Sequence, residues 1–224
     1  MWLALALSAH AEVPLPDYDD IVVQRTWHRI NSLIEAACTG GPTVRACSKE
    51  PLDEAIQIAS SFQSQVIRDA RIEYLLGLAY RSRGDQAEGE RHLRNATLMD
   101  ADRPDAWNDL GEIYLQDGRY EQAAEAFTHV SRLVDTGSKS WLGPWRQAEV
   151  AAHRQQPEQF EEHMKVALSR GFSFQLVRGL PNWKAFYADP IMRPSVGKLI
   201  TVYSTPDVLE SLQSDPTKKP RPPK

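Results

Sequence analysis

The chain holds little of what usually announces chemistry. Two cysteines among 224 residues exclude a cysteine-rich metal centre or a disulfide-dense scaffold. There is no glycine-rich phosphate loop, no H-E-x-x-H and no nucleophile elbow. The six histidines are scattered, and none sits where it could complete a site. His163 follows Glu161 and Glu162, but three consecutive helical residues point around the helix and cannot chelate together. His28 and Cys38 are ten residues apart, about three helical turns, too far for a thiol–imidazole hydrogen bond. No run of about 18 apolar residues exists, so nothing reads as a membrane span. Alternating β-branched stretches are scarce and no sheet is expected. A net charge of −4 lacks the basic excess of a nucleic-acid binder. The reading is a chain that is not an enzyme and takes no cofactor, metal or nucleic acid.

What the chain has is a repeat. Leu76-Gly77, Tyr80, Gly84, Gly89, Leu93 and Ala96 recur 34 positions later as Leu110-Gly111, Tyr114, Gly118, Ala123, Phe127 and Val130. A fixed period of about 34 is that of a helix-turn-helix array. Leu110, Gly111 and Tyr114 share one stripe of a first helix. Glycine inside a helix costs roughly 0.5–1 kcal/mol against alanine. Its recurrence therefore implies a close helix approach, with the small Ala123 expected opposite Gly111. Gly84 and Gly118 suit the positive φ that ends a helix. The pattern Trp107-x2-Leu110-Gly111-x2-Tyr114, followed by Ala123-x3-Phe127, resembles the tetratricopeptide repeat family. The first copy departs from it at Glu73, where tryptophan is expected, and at Gly89, where alanine is. Ala101 and Asp135 stand where a closing proline is usual, and Pro104 opens the second copy instead.

The resemblance implies an all-α, tetratricopeptide-like helical-hairpin solenoid with an N-terminal degenerate hairpin and C-terminal capping helices. Residues 1–11, MWLALALSAHA, read as a truncated secretory signal peptide ending in Ala9-His10-Ala11; a loosely packed N-terminus is the alternative. Residues 12–69 read as the degenerate hairpin, with Ala55, Ala59 and Phe62 in the places of Ala123, Phe127 and Val130. Residues 70–103 and 104–137 are the two full copies. A third, degenerate copy covers 138–174, with Ser138 to Ser140 inserted and Ala148 in the Gly111 place. Capping helices cover 175–214, burying Trp183, Phe186, Tyr187, Ile191 and Met192, with a last helix from Pro206 to Ser211. Residues 215–224 are rich in proline and lysine and read as a disordered tail.

Cys38 and Cys47 bracket the Thr39-Gly40-Gly41-Pro42 break. A disulfide, two buried thiols and a metal half-site are the three readings; Cys-x8-Cys is not a zinc spacing. Disulfide and signal peptide go together with a periplasmic or secreted protein; without them the chain is cytoplasmic.

In the family the resemblance points to, the first helix of each unit lines a concave groove. Carried onto this chain, the groove positions are Arg71, Tyr74, Leu78, Arg81 and Ser82, then Asp105, Asn108, Glu112, Leu115 and Gln116. In the third copy they are Leu142, Trp145, Glu149, Ala152 and His153. The family's carboxylate clamp is absent: its places hold Tyr74, Leu78 and Asp109, and Asp109 repels carboxylates. The implied function is a non-catalytic module binding a protein or peptide in the groove. The alternative is a structural or assembly scaffold component of a cell-envelope complex, with no groove in use.

Overall fold

The computed structural model describes residues 18–39, 46–65 and 68–213. Residues 1–11 and 215–224, expected to be signal and tail, lie outside them. The described chain is an array of helices: α1 Tyr18–Ala37, α2 Lys49–Gln65, α3 Ala70–Arg83, α4 Gln86–Met99, α5 Pro104–Gln116 and α6 Tyr120–Leu133. It continues through α7 Leu142–His153, α8 Pro157–Ser169, a 3-10 turn Phe174–Val177, α9 Pro181–Ala188, α10 Arg193–Tyr203 and α11 Pro206–Gln213. Each odd helix up to α7 packs on the even helix after it, and each pair packs on the next. The last three helices pack on one another, and α10 covers α8.

Local chemistry sets the boundaries. Asp69 caps α3 by accepting the Arg71 N–H at 2.8 Å. Prolines open α5, α8, α9 and α11, where a missing N–H costs nothing. Gly84 and Gly118 end α3 and α5 with φ of +100° and +72°. The corresponding place after α7 is held by Gln155, which takes the left-handed φ of +55° without being glycine. Its side chain donates to Asp189 Oδ2 at 2.7 Å, tying the turn to the end of α9.

The apolar stripes meet in three successive clusters. Ile30, Leu52, Ile72 and Leu75 form the first, Leu93, Ile113 and Phe127 the second, and Phe160, Phe174 and Trp183 the third. A chain of small cores is what a solenoid produces, since each unit touches only its neighbours. The reason for Gly111 is now visible. A Cβ there would lie 2.5 Å from Phe127 Cε1, so the partner over Gly111 is the Phe127 ring rather than the expected Ala123. At Gly77 a Cβ would meet Leu93 Cγ at 2.6 Å and the Gly89 carbonyl oxygen at 3.2 Å.

Two further expectations are corrected. The Cys loop contains a two-residue antiparallel ladder, β1 Cys38–Thr39 with β2 Ala46–Cys47, where no sheet was expected. In the cap, α10 runs for 11 residues with Pro194 in its first turn. Ile191 is half exposed and Tyr187 partly buried, whereas Trp183, Phe186 and Met192 are buried as expected. Asp189 explains Ile191: its carboxylate accepts the N–H groups of Ile191 and Met192, turning the chain so that only Met192 faces inward.

Candidate partner-binding groove

The face made by α3, α5, α7 and α9 is laced by charges. Tyr74 OH donates to Asp109 Oδ2 at 3.0 Å, and Arg81 donates to Asp109 Oδ1 at 2.9 Å. Arg81 also pairs with Glu112, which in turn pairs with Arg146. Arg146 reaches Asn108 Oδ1 at 3.2 Å and Glu149 Oε2 at 2.8 Å. The other Glu149 oxygen accepts from Asn182 Nδ2 and Trp183 Nε1, both at 2.9 Å. The ladder therefore runs unbroken from α3 to α9. Burial raises the Asp109 carboxyl, although Arg81 and the Tyr74 hydroxyl oppose it. Burial likewise raises the Tyr74 phenol, helped by the negative field of Asp109.

Two hollows flank this ladder. The larger, about 950 Å³, is bounded by Glu112, Gln116, Asp117, Tyr120, Trp141, Trp145, Arg146, Glu149, His153 and the Leu176–Asn182 stretch before and into α9. The smaller, about 560 Å³, lies beside Cys47, Leu78, Arg81, Ser82, Asp109 and Glu112. Glu112 and Gln116 border both, so the two are parts of one groove. Burial holds His153 below the usual histidine range, against the pull of Glu149. Tyr120 stacks on His153 with ring centres 5.9 Å apart, and Trp145 stacks on Phe172 at 5.6 Å.

The residues expected to line the groove divide. Leu78, Arg81, Glu112 and Trp145 border the hollows. Arg71, Tyr74, Asp105 and Asn108 border neither. Arg71 is tied to Asp69 and Asp20, at 3.0 and 2.8 Å. Tyr74 is packed under the Arg103 guanidinium, 5.1 Å from its ring centre, and Arg103 also pairs with Asp105 at 2.9 Å. The cation of Arg81 is consumed by the ladder, so neither arginine stands free for an acidic partner. The aromatic wall from Tyr120 and Trp141 was not among the expected positions, because Tyr120 belongs to a second helix and Trp141 precedes the third first helix. The signal that could have found Trp141 is the aromatic density between residues 141 and 187; nothing comparable marks Tyr120.

Cys38 and Cys47 face each other across the short ladder with Cα atoms 4.1 Å apart, and their sulfurs are bonded. The neighbouring Ser48 N–H donates to Ala37 O at 2.8 Å, so the cysteines occupy a non-hydrogen-bonded pair, where side chains come closest. Among the described residues no group of three or more His, Cys, Asp or Glu is placed to hold a metal ion, and no helix is long and apolar enough to cross a membrane.

Residues 74–130 match the sequence profile of the tetratricopeptide repeat. Those residues form a tetratricopeptide-repeat region. Solved structures show a like fold along the array. The anaphase-promoting-complex hetero-tetramer Cut9–Hcn1 superposes with a TM-score of 0.56 over 84% of this chain at 14% identity. This chain spans about a third of that one, which is covered to 32%. A crystal structure of MamA gives 0.55 over 74% of this chain and 91% of its own, at 15% identity. Nearly identical TPR-like repeats from Podosopora anserina give 0.56 over 89% of this chain and 96% of theirs, at 11% identity. At such identities these likenesses concern the repeat fold alone. Comparison with curated protein sequences gave no match.

Proposed function

We propose that this tetratricopeptide array is a non-catalytic interaction module that holds a protein or peptide in the groove bounded by α5, α7 and α9. One observation carries the reading: an open hollow of about 950 Å³ walled by Tyr120, Trp141 and Trp145 on a face otherwise closed by its own ion pairs. Aromatic side chains on rigid helices give contact area at small entropic cost, which is where binding energy concentrates. The alternative, a packing part of an envelope assembly, draws its support from the N-terminal half of the same face, where Arg81, Asp109 and Glu112 are spent on one another. In the leading reading the protein works outside the cytoplasm, because a bridge such as Cys38–Cys47 persists chiefly in oxidising compartments.

A photo-crosslinking residue at Gln116, which is exposed and borders both hollows, tests the groove. The control is the same residue at Glu125, exposed on α6 away from them. A discrete adduct from Gln116 alone, competed away by unmodified protein, supports the groove. Equal adducts at both sites, or none, overturn it.

A further inference from the structure

The groove has a chemistry that selects its occupant. Its larger hollow is lined by three carboxylates, Glu112, Asp117 and Glu149, and one guanidinium, Arg146, with Arg81 pairing Glu112 from the smaller hollow. Arg146 is divided between Glu112 and Glu149 and lies 4.2 Å over the Trp145 ring, so one aromatic face is already covered by a cation. Asp117 is the carboxylate left at the rim. Its cation is Arg119 at 3.8 Å, and Arg119 makes its short bonds to Glu90 instead, at 2.7 and 2.8 Å.

The remaining wall is flat and apolar. Trp141 and Tyr120 stand on one side and the half-exposed Leu176, with Leu180 and Pro181, on the other. Trp145 is only 8% exposed, and its Nε1–H has no acceptor among the described residues. A buried N–H without an acceptor costs about 1–3 kcal/mol.

Two requirements follow for an occupant. It must present rigid apolar surface to the aromatic rings and bring positive charge to Asp117. A polyproline II segment meets the first at small entropic cost, because its conformation is preformed, and proline adds no N–H to be buried. Proline-rich segments dock aromatic-lined grooves elsewhere by the same physics. An acidic segment is repelled by the carboxylate excess.

We infer that the partner segment is an extended, proline-rich peptide bearing lysine or arginine. This rests on the groove reading proposed for the chain, and supplies the partner's chemistry. The test is calorimetric titration of the full chain with three synthetic nonapeptides: PPKPPRPPK, the acidic PPEPPEPPE and the flexible GSKGSRGSK. The first is expected to bind at least about tenfold more tightly than either other, a difference of about 1.4 kcal/mol. Asp117→Lys and Leu176→Glu, both on solvated positions, should each weaken it about fivefold while leaving the melting temperature unchanged. Equal binding of the acidic or the flexible peptide, or no binding of the first, overturns the inference. If Gln116 still yields its specific adduct when the first peptide fails, the groove stands and only the assigned chemistry falls. If the peptide binds and Asp117→Lys has no effect, the peptide sits elsewhere and the assignment to this groove is wrong.

Discussion

Glu73 Oε2 lies 2.6 Å from His92 Nδ1, with the carboxylate almost fully buried in the seam between α3 and α4. Arg91 can only donate, so His92 Nε2, 2.8 Å from it, accepts, and the hydrogen on Nδ1 goes to Glu73. Asn95 and Arg68 complete the carboxylate shell at 3.3 and 3.2 Å, and Tyr80 stacks on the imidazole at 5.3 Å. Glu73 is the residue that replaces the tryptophan of the repeat pattern. A polar network thus fills the space an indole would occupy.

That network makes stability depend on acid. Burial alone would raise the Glu73 carboxyl, but the His92, Asn95 and Arg68 contacts reverse this and hold it below its ordinary 4.5. A group depressed in the folded state stabilises above its unfolded value, and the contribution is lost as pH falls through the folded one. Between about pH 5 and pH 3 the melting temperature of the native chain should fall more steeply than that of Glu73→Gln. At neutral pH the variant should be less stable by about 2–3 kcal/mol, since it leaves partners of a buried charge unmatched. Parallel pH profiles would show that the pair contributes nothing to folding.

Gly111→Ala tests the helix approach. Alanine gains about 1 kcal/mol of helix propensity. Its Cβ, however, meets the Phe127 ring at 2.5 Å, and overpacking costs about 1–3 kcal/mol. The net is destabilisation, read from denaturant midpoints. Adding Phe127→Ala removes the ring that the Cβ meets, so the double variant should be more stable than the sum of the singles predicts, by about 1 kcal/mol. Gly84→Ala is the contrast: nothing lies within 4 Å of its Cβ, and the cost comes from φ +100° alone, about 1 kcal/mol and insensitive to Phe127→Ala.

Arg146→Ala should cost about 3 kcal/mol, because it leaves the buried Glu149 and the partly buried Glu112 short of their cation. Arg146→Lys should recover only part of this. An ammonium on a single stem cannot span Asn108, Glu112 and Glu149 as a fork does. Urea unfolding of the three proteins decides it, and full rescue by lysine would mean that the geometry of the ladder is immaterial.

Reducing the Cys38–Cys47 bridge, or replacing both residues by serine, should lower stability by about 2–3 kcal/mol, the chain-entropy value for a ring of this size. Intact mass of protein recovered without reductant from outside the cytoplasm should be two hydrogens light. Free thiols there would remove the argument for an oxidising compartment.

The repeat region was legible because its signals are local and periodic: Gly77 and Gly111 at one offset, Gly84 and Gly118 at the turns, Leu93 and Phe127 on the facing stripe. Each is written into a helix by spacing alone. The ladder was not legible, since Arg81, Asp109, Glu112, Arg146, Glu149 and Asn182 meet only after four helices stack. The family's groove position assigned Tyr74 to the groove, and its actual partner, Asp109, is 35 positions away. The left-handed conformation of Gln155 was not legible for the opposite reason: such a turn usually advertises itself by glycine.

The ladder also gives the array a mechanical anatomy. Its members from Arg81 to Glu149 are 1–21% exposed, so added salt reaches them poorly. From α3 to α9 the inner edge therefore behaves as a stiff strut, and the curvature of that stretch is fixed by bond lengths rather than by ionic conditions. The cross-brace between α1 and α3 is different: Arg71 and Asp20 stand 33% and 40% in water, where screening loosens them. Added salt therefore acts on that brace before it reaches the ladder, and the buried cluster of Val23, Ile30, Leu52, Ile72 and Leu75 is what keeps the N-terminal hairpin seated when the brace is screened.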